Sequence, residues 1–156
     1  MKILVLGGTG EARGLCTALV QLGQEVVLSL AGRTSEPIVP EGVELRTGGF
    51  GGPEFLAAYL TGEGFDRLVD ATHPYAVRMS TNAALAAEAS GVPLVRLTRP
   101  SWIEPQYAFW RRVPDADAAA AELPRGARGF LTIGSHGLEP FYARTDCTFL
   151  IRAIEL

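Results

Sequence analysis

The stretch KILVLGGTGEARG, residues 2–14, constrains this chain more than any other. A run of branched apolar residues ends abruptly at Gly7-Gly8. Ala12, Leu15, Cys16, Leu19 and Val20 then recur at i, i+3, i+4, i+7 and i+8, which is one face of a helix. Gly23 closes that helix. A buried strand, a tight glycine turn and a helix in this order form the opening unit of a doubly wound α/β sheet.

The alternation continues. EVVLSL (25–30), VELRT (43–47), RLVDAT (67–72) and PLVRLT (93–98) read as the second to fifth strands. Between them, a helix opens at Pro53 with Phe55, Leu56, Tyr59 and Leu60 on its apolar face, and an Ala-rich helix spans 75–90 up to Gly91. Strand and helix joined by short glycine turns imply parallel strands with right-handed crossovers. Apolar strands agree, because both sheet faces are then covered. Residues 1–100 are therefore expected to form a Rossmann-like, doubly wound parallel sheet. From Arg99 the pattern changes: RPSWIEPQYAFWRR (99–112) carries two prolines and both tryptophans. A short helix (115–122), a strand GFLTIG (129–134), a helical turn and a strand within 147–156 follow. Residues 101–156 read as a connection and the start of a second, incomplete α/β domain.

Composition narrows the partners. The 156 residues suffice for a real core. A net charge of −3 gives no reason to expect nucleic acid. Lys2 is the sole lysine among fourteen basic residues, and Arg suits carboxylates and phosphates better than Lys does. Cys16 and Cys147 are far apart and match no metal spacing, so no metal site is expected; Cys16 reads as a small core residue. No signal peptide is recognisable, and no apolar stretch approaches the roughly 20 residues that span a bilayer. A cytoplasmic monomer without membrane contact is expected.

The glycine loop raises a chemical demand. A pyrophosphate needs a sharp turn, close backbone approach and a helix N-terminus aimed at the anion. Gly7, Gly8, Thr9, Gly10, Glu11 and Ala12 are the candidate residues. The spacing departs from the usual motif: Arg13 stands at the third glycine position and Gly14 lies one residue beyond. At the end of the second strand, SLAGRT (29–34) has no acid before Glu36. An NAD site usually carries an acid there. Ser29, Gly32, Arg33 and Thr34 instead suit a ribose 2′-phosphate, which favours NADPH over NADH; the bland alternative for Arg33 is a solvated turn.

Ligands of such sheets lie beyond the carboxyl ends of the strands. That rule groups the glycine loop, SLAGRT, GGFGG (48–52) and DATHPYA (70–76) on one edge. Gly49, Phe50, Thr72 and His73 complete the candidate cofactor set. Pro74 removes an N–H and pushes His73 toward an extended backbone. His73 either contacts cofactor or substrate, acts as an acid near neutral pH, or only shapes the turn. Asp70 reads as structural, binding backbone N–H groups. Tyr75 either stacks on a ligand or packs under the loop.

LGGTGEAR, SLAGRT, GGFGG, DATHPYA and VPLVRLTRPSW occur in an order that resembles the precorrin-6A reductase family of cobalamin biosynthesis. The resemblance covers nearly the whole chain, and DATHPYA after GGFGG is its most specific part. It implies two Rossmann-like domains with cofactor and macrocycle between them. It implies NAD(P)H-dependent reduction of one ring double bond of precorrin-6A or its cobalt-containing analogue, hydride to one carbon and a proton to its neighbour, without a metal or flavin of the enzyme's own. The substrate would be a tetrapyrrole bearing many carboxylates. Tyr75, Arg78 and Arg99 are then candidate substrate ligands, with Arg96, Arg111 and Arg112 as lesser ones. His73 or water would give the proton. Ser135 and His136, in a loop resembling one of the second domain, receive no role. Competing readings are an NADP-binding module without activity and an atypical short-chain reductase; the latter lacks its Tyr-x-x-x-Lys pair.

Overall fold

The computed structural model describes residues 1–32, 36–100, 102–134 and 137–153. The chain divides into two compact units, Met1–Ser101 and Trp102–Leu156. The first unit holds β1 (Lys2–Leu6), α1 (Gly10–Gln21), β2 (Glu25–Leu30), β3 (Glu44–Thr47), α2 (Pro53–Gly62), β4 (Arg67–Asp70), α3 (Val77–Ser90) and β5 (Leu94–Arg96). Its five strands are all parallel and run in the order β3-β2-β1-β4-β5. This is the doubly wound, Rossmann-like arrangement expected from the alternation. The chain winds outward from β1 in one direction and from β4 in the other. The reversal falls between those two strands.

Side chains on a strand alternate between faces, and each face of this sheet has its own core. Leu4 and Leu6 of β1 join Val27, Leu68, Leu56, Leu60, Ala83 and Ala86, beneath α2 and α3. Ile3 and Val5 join Val26, Leu28, Val69, Ala12 and Cys16, beneath α1. A leucine buried as completely as Leu4 contributes about 1.5–3 kcal/mol. The central strands are thus covered on both faces. The edge strands are not: Leu45 of β3 and Val95 of β5 are exposed.

The second unit holds α4 (Ala116–Ala121), β6 (Arg128–Leu131), α5 (Glu139–Tyr142) and β7 (Thr148–Ile151). Asp115 caps α4 by accepting the Ala118 N–H at 2.8 Å. β6 and β7 form a two-stranded parallel sheet. Ala120, Leu131, Leu138 and Phe141 make its small core.

Several expected boundaries shift. The fourth strand stops at Asp70, not Thr72, because the Asp70 carboxylate takes the Thr72 N–H and closes a turn. The third helix starts at Val77, not residue 75, since a turn closed by the Ala76 N–H on the His73 carbonyl precedes it. The fifth strand shrinks to Leu94–Arg96. The strand expected at 129–134 is Arg128–Leu131, and the last strand is Thr148–Ile151. Phe55 is not on the buried face of its helix: it is 66% exposed, while Leu56 and Leu60 point inward.

Candidate functional site

The site grows from the strand ends. Leu6 lies opposite Ser29 on β2 and opposite Asp70 on β4, so the loops after these strands emerge side by side. Gly7 continues the ladder by donating its N–H to the Ser29 carbonyl at 2.9 Å. A Cβ on Gly7 would lie 2.4 Å from Leu28 Cδ1, so only glycine fits the chain this close to β2. Gly8 turns at φ +113°, a conformation that favours glycine, and a Cβ there would meet open space. Thr9 then caps α1. Its Oγ1 accepts the Ala12 N–H at 3.1 Å and donates to the Ala71 carbonyl at 2.9 Å. The residue is buried, and its hydroxyl hydrogen is engaged within the protein. Ala12 is buried beneath the helix. Gly10 and Glu11 form its exposed first turn.

Glu11 brings a second element to this helix start. Arg99, which follows β5, donates to its Oε2 at 2.8 Å. The Glu11 carboxyl is held below its ordinary value, first by its own backbone N–H and next by Arg99. Because β4 stands between β1 and β5, this ion pair joins the start of α1 to the loop after β5 across the end of β4. Arg99 and Glu11, expected on substrate and cofactor respectively, meet each other here.

The turn after β4 is ordered by its own side chains. Asp70 is 2% exposed; it accepts from Thr72 N–H at 3.1 Å and from Thr72 Oγ1 at 2.6 Å, and Arg96 Nε lies 3.4 Å away. It has the structural role expected of it. His73 Nδ1 accepts the Tyr75 N–H at 3.2 Å, which leaves Nε2 as the ring nitrogen that carries hydrogen. The His73 and Tyr75 rings lie 5.1 Å apart, and both residues are exposed. His73 therefore does shape the turn, and its Nε2 edge faces outward from that contact. Tyr75 is 82% exposed rather than packed under the loop. Arg78 is exposed at the start of α3. Arg111, in the second unit, pairs with Glu122, and Arg112 lies over the Trp110 ring.

On the other side of β1, Ser29 is buried, and its Oγ receives a hydrogen bond from Arg46 Nη1 at 3.4 Å. Arg46 also donates to the Gly48 and Gly49 carbonyls and lies over the Phe50 ring. Gly32 sits against Thr47 at the start of this region. Gly49 is exposed and Phe50 half-buried against Tyr59. Sequence reasoning passed over Arg46. The available signal was its position two residues before the GGFGG loop, on the strand next to Ser29. Arg33, Thr34, Ser135 and His136 lie outside the described residues. Among the described residues, no three His, Cys, Asp or Glu side chains are grouped to hold a metal ion, and no helix is long and apolar enough to cross a membrane.

A parallel sheet of this order, with a glycine turn leading into a capped helix at the reversal, defines a Rossmann-like α/β domain. The chain matches, over residues 2–156, the family described as precorrin-6x reductase CbiJ/CobK, and it belongs to that family. It is 47% identical over 156 residues to a precorrin-6A reductase of Rhodococcus erythropolis, covering 99% of this chain and 62% of that protein. It is 43% identical to the precorrin-6A reductase of Rhodobacter capsulatus, covering 99% and 61%. A cobalt-precorrin-6A reductase of Salmonella typhimurium is 32% identical, with 97% and 59% covered. The solved structure titled CobK precorrin-6A reductase superposes with a TM-score of 0.93 at 42% identity, covering 100% of this chain and 62% of that one. The chain thus spans about three-fifths of the length of these relatives.

Proposed function

We propose that this chain binds NADPH along the carboxyl edge of its first sheet and serves, as a cytoplasmic monomer, the reduction of a ring double bond in precorrin-6A or its cobalt-containing counterpart. The observation that carries the reading is the Thr9–Ala71 bond, which ties the glycine loop to the DATHPYA turn at the reversal of strand order. The names of the relatives supply the substrate class.

The residues fit an anionic dinucleotide. At the first turn of α1 the Glu11 carboxylate already takes a hydrogen bond from Arg99 at 2.8 Å. Donors that hold a carboxylate at a helix start suit a phosphate equally well. Gly8 leaves open space above the turn. NADPH rather than NADH is favoured because no acid follows β2 before Glu36.

When bound, NADPH supplies the hydride that goes to one carbon of the double bond. The protein's part is to bind, orient and exclude water. The loop of Gly7, Gly8, Gly10 and Glu11 would carry the pyrophosphate. Ser29, Gly32, Gly49 and Phe50, with Arg33 and Thr34, would line the adenosine end. Thr72 and His73 would flank the nicotinamide end, and His73, with Nδ1 accepting the Tyr75 N–H, offers its Nε2–H as a hydrogen-bond donor; giving a proton to the neighbouring carbon would require the doubly protonated ring, in which Nδ1 releases the Tyr75 N–H. Tyr75, Arg78 and Arg99 would meet the macrocycle and its carboxylates.

The test is a titration with NADPH and with NADH, followed by precorrin-6A with nicotinamide absorbance recorded. Tighter NADPH binding and loss of nicotinamide absorbance are expected. Absence of NADPH binding would sink the cofactor assignment, and binding without oxidation would leave a binding module that does not turn over.

A further inference from the structure

Among the described arginines of the first unit, Arg46 stands apart because, besides Ser29 Oγ, it donates to main-chain carbonyls of the loop that follows it. On β3 it lies directly opposite Ser29. Its guanidinium folds back over the strand end. Nη1 donates to the Gly48 carbonyl at 2.6 Å, and Nη2 donates to the Gly49 carbonyl at 3.2 Å. Its flat face lies 3.7 Å from the centroid of the Phe50 ring, with the Tyr59 ring at 5.2 Å. Three features of one guanidinium, its two-pronged donors, its planarity and its charge, are used together, and Lys lacks the first two.

The consequence lies in the peptide planes. All described peptide bonds are trans, so each carbonyl points opposite to the N–H of the next residue. Drawing the Gly48 and Gly49 carbonyls onto Arg46 turns the N–H groups of Gly49 and Phe50 away from it. Neither N–H has a hydrogen-bond acceptor among the described residues. Two successive N–H groups without partners are the donor set from which an anion-binding concavity is built. The Gly48 N–H, by contrast, is tied to the Leu30 carbonyl at 2.8 Å, which fixes the loop beside the end of β2. In this fold the adenosine ribose lies at that end.

We propose that Arg46 is a positioning residue of the nucleotide site: it sets the GGFGG loop so that the Gly49 and Phe50 N–H groups receive a phosphate on the adenosine ribose. The proposal rests on the cofactor reading above. It assigns the 2′-phosphate preference partly to main-chain donors, with Arg46 acting through them and not by contact.

Arg46→Ala and Arg46→Lys variants test it, with 2′,5′-ADP, NADPH and NADH as probes by calorimetry and amide hydrogen exchange of the ligand-free chain. Loss of the charged pair of bonds should weaken 2′,5′-ADP and NADPH about tenfold or more in both variants, with a smaller effect on NADH. Exchange should speed up at residues 48–52 and stay unchanged in β4. Phe50→Leu keeps the hydrogen bonds and removes the stacked ring, and it should cost about threefold; this variant carries the test if Arg46→Ala does not fold. Wild-type affinity in Arg46→Ala, or full rescue by Lys with unaltered loop exchange, would overturn the positioning role. Failure of the wild-type chain to bind either NADPH or 2′,5′-ADP would remove the cofactor reading and this proposal with it. Normal wild-type binding with an indifferent Arg46→Ala variant would remove the proposal alone.

Discussion

The Thr9 hydroxyl donates to the Ala71 carbonyl across 62 residues of chain, at 2.9 Å, while accepting the Ala12 N–H at 3.1 Å. One buried side chain therefore caps α1 and clasps the two loops at the reversal of strand order. Thr9→Val keeps the shape and removes both bonds, leaving a buried carbonyl and a helix N–H without partners. A loss of about 1–3 kcal/mol is expected by urea unfolding, with Thr9→Ser close to wild type. A Val variant as stable as the Ser variant would show that the clasp carries no weight.

The clasp could not be read from the sequence, although the elements it joins could. Branched apolar runs such as Ile3–Leu6 mark buried parallel strands wherever they occur. Pro74, Gly91 and Pro53 mark turns and helix ends by local chemistry. Grouping DATHPYA with the glycine loop followed from the carboxyl-edge rule alone. What failed depends on long-range register or on competition among local bonds. Asp70 ends β4 because its carboxylate wins the Thr72 N–H. Arg46 finds its role only once β3 lies beside β2 and the loop folds back. Arg99 meets Glu11, 88 residues away, a pairing that no spacing announces.

The Glu11–Arg99 pair gives a signed dependence on pH. Hydrogen bonding by its own N–H and by Arg99 lowers the Glu11 carboxyl below its ordinary value. A carboxylate lowered on folding adds stability above its unfolded value and loses that contribution as pH falls through the folded one. Arg99→Met should move the Glu11 titration, followed by NMR, up toward the usual glutamate range. The stability difference between wild type and variant should be present near neutrality, shrink in acid and shrink in high salt, since the pair is exposed. An unmoved Glu11 titration would mean that Arg99 contributes nothing there.

Burial pushes the Cys16 thiol up to about 11, and its side chain lies wholly within the core beneath α1. The thiolate is the reactive form, so both access and ionisation protect it. Iodoacetamide at pH 8 should label Cys147, which is partly exposed, before Cys16. Cys16 labelling should track global unfolding as urea is raised. Equal labelling rates in the native protein, read by peptide mass spectrometry, would contradict this.

Gly7 is fixed by contact with the core. A methyl group there would sit 2.4 Å from Leu28 Cδ1 and 3.2 Å from Leu30 Cδ2. Leu28 is 1% exposed and packed among Ile3, Val26 and Cys16, so it cannot swing out to make room. Gly7→Ala should therefore cost about 1–3 kcal/mol through overpacking. The cause can be isolated with a second substitution. Leu28→Val shortens the offending side chain and has its own smaller cost of about 0.5–1.5 kcal/mol. If the clash is the mechanism, Gly7→Ala costs less in the Leu28→Val background than in wild type, and the two substitutions fail to add. Equal cost in both backgrounds, measured by urea unfolding, would place the demand for glycine in the backbone of the turn instead of in its approach to β2.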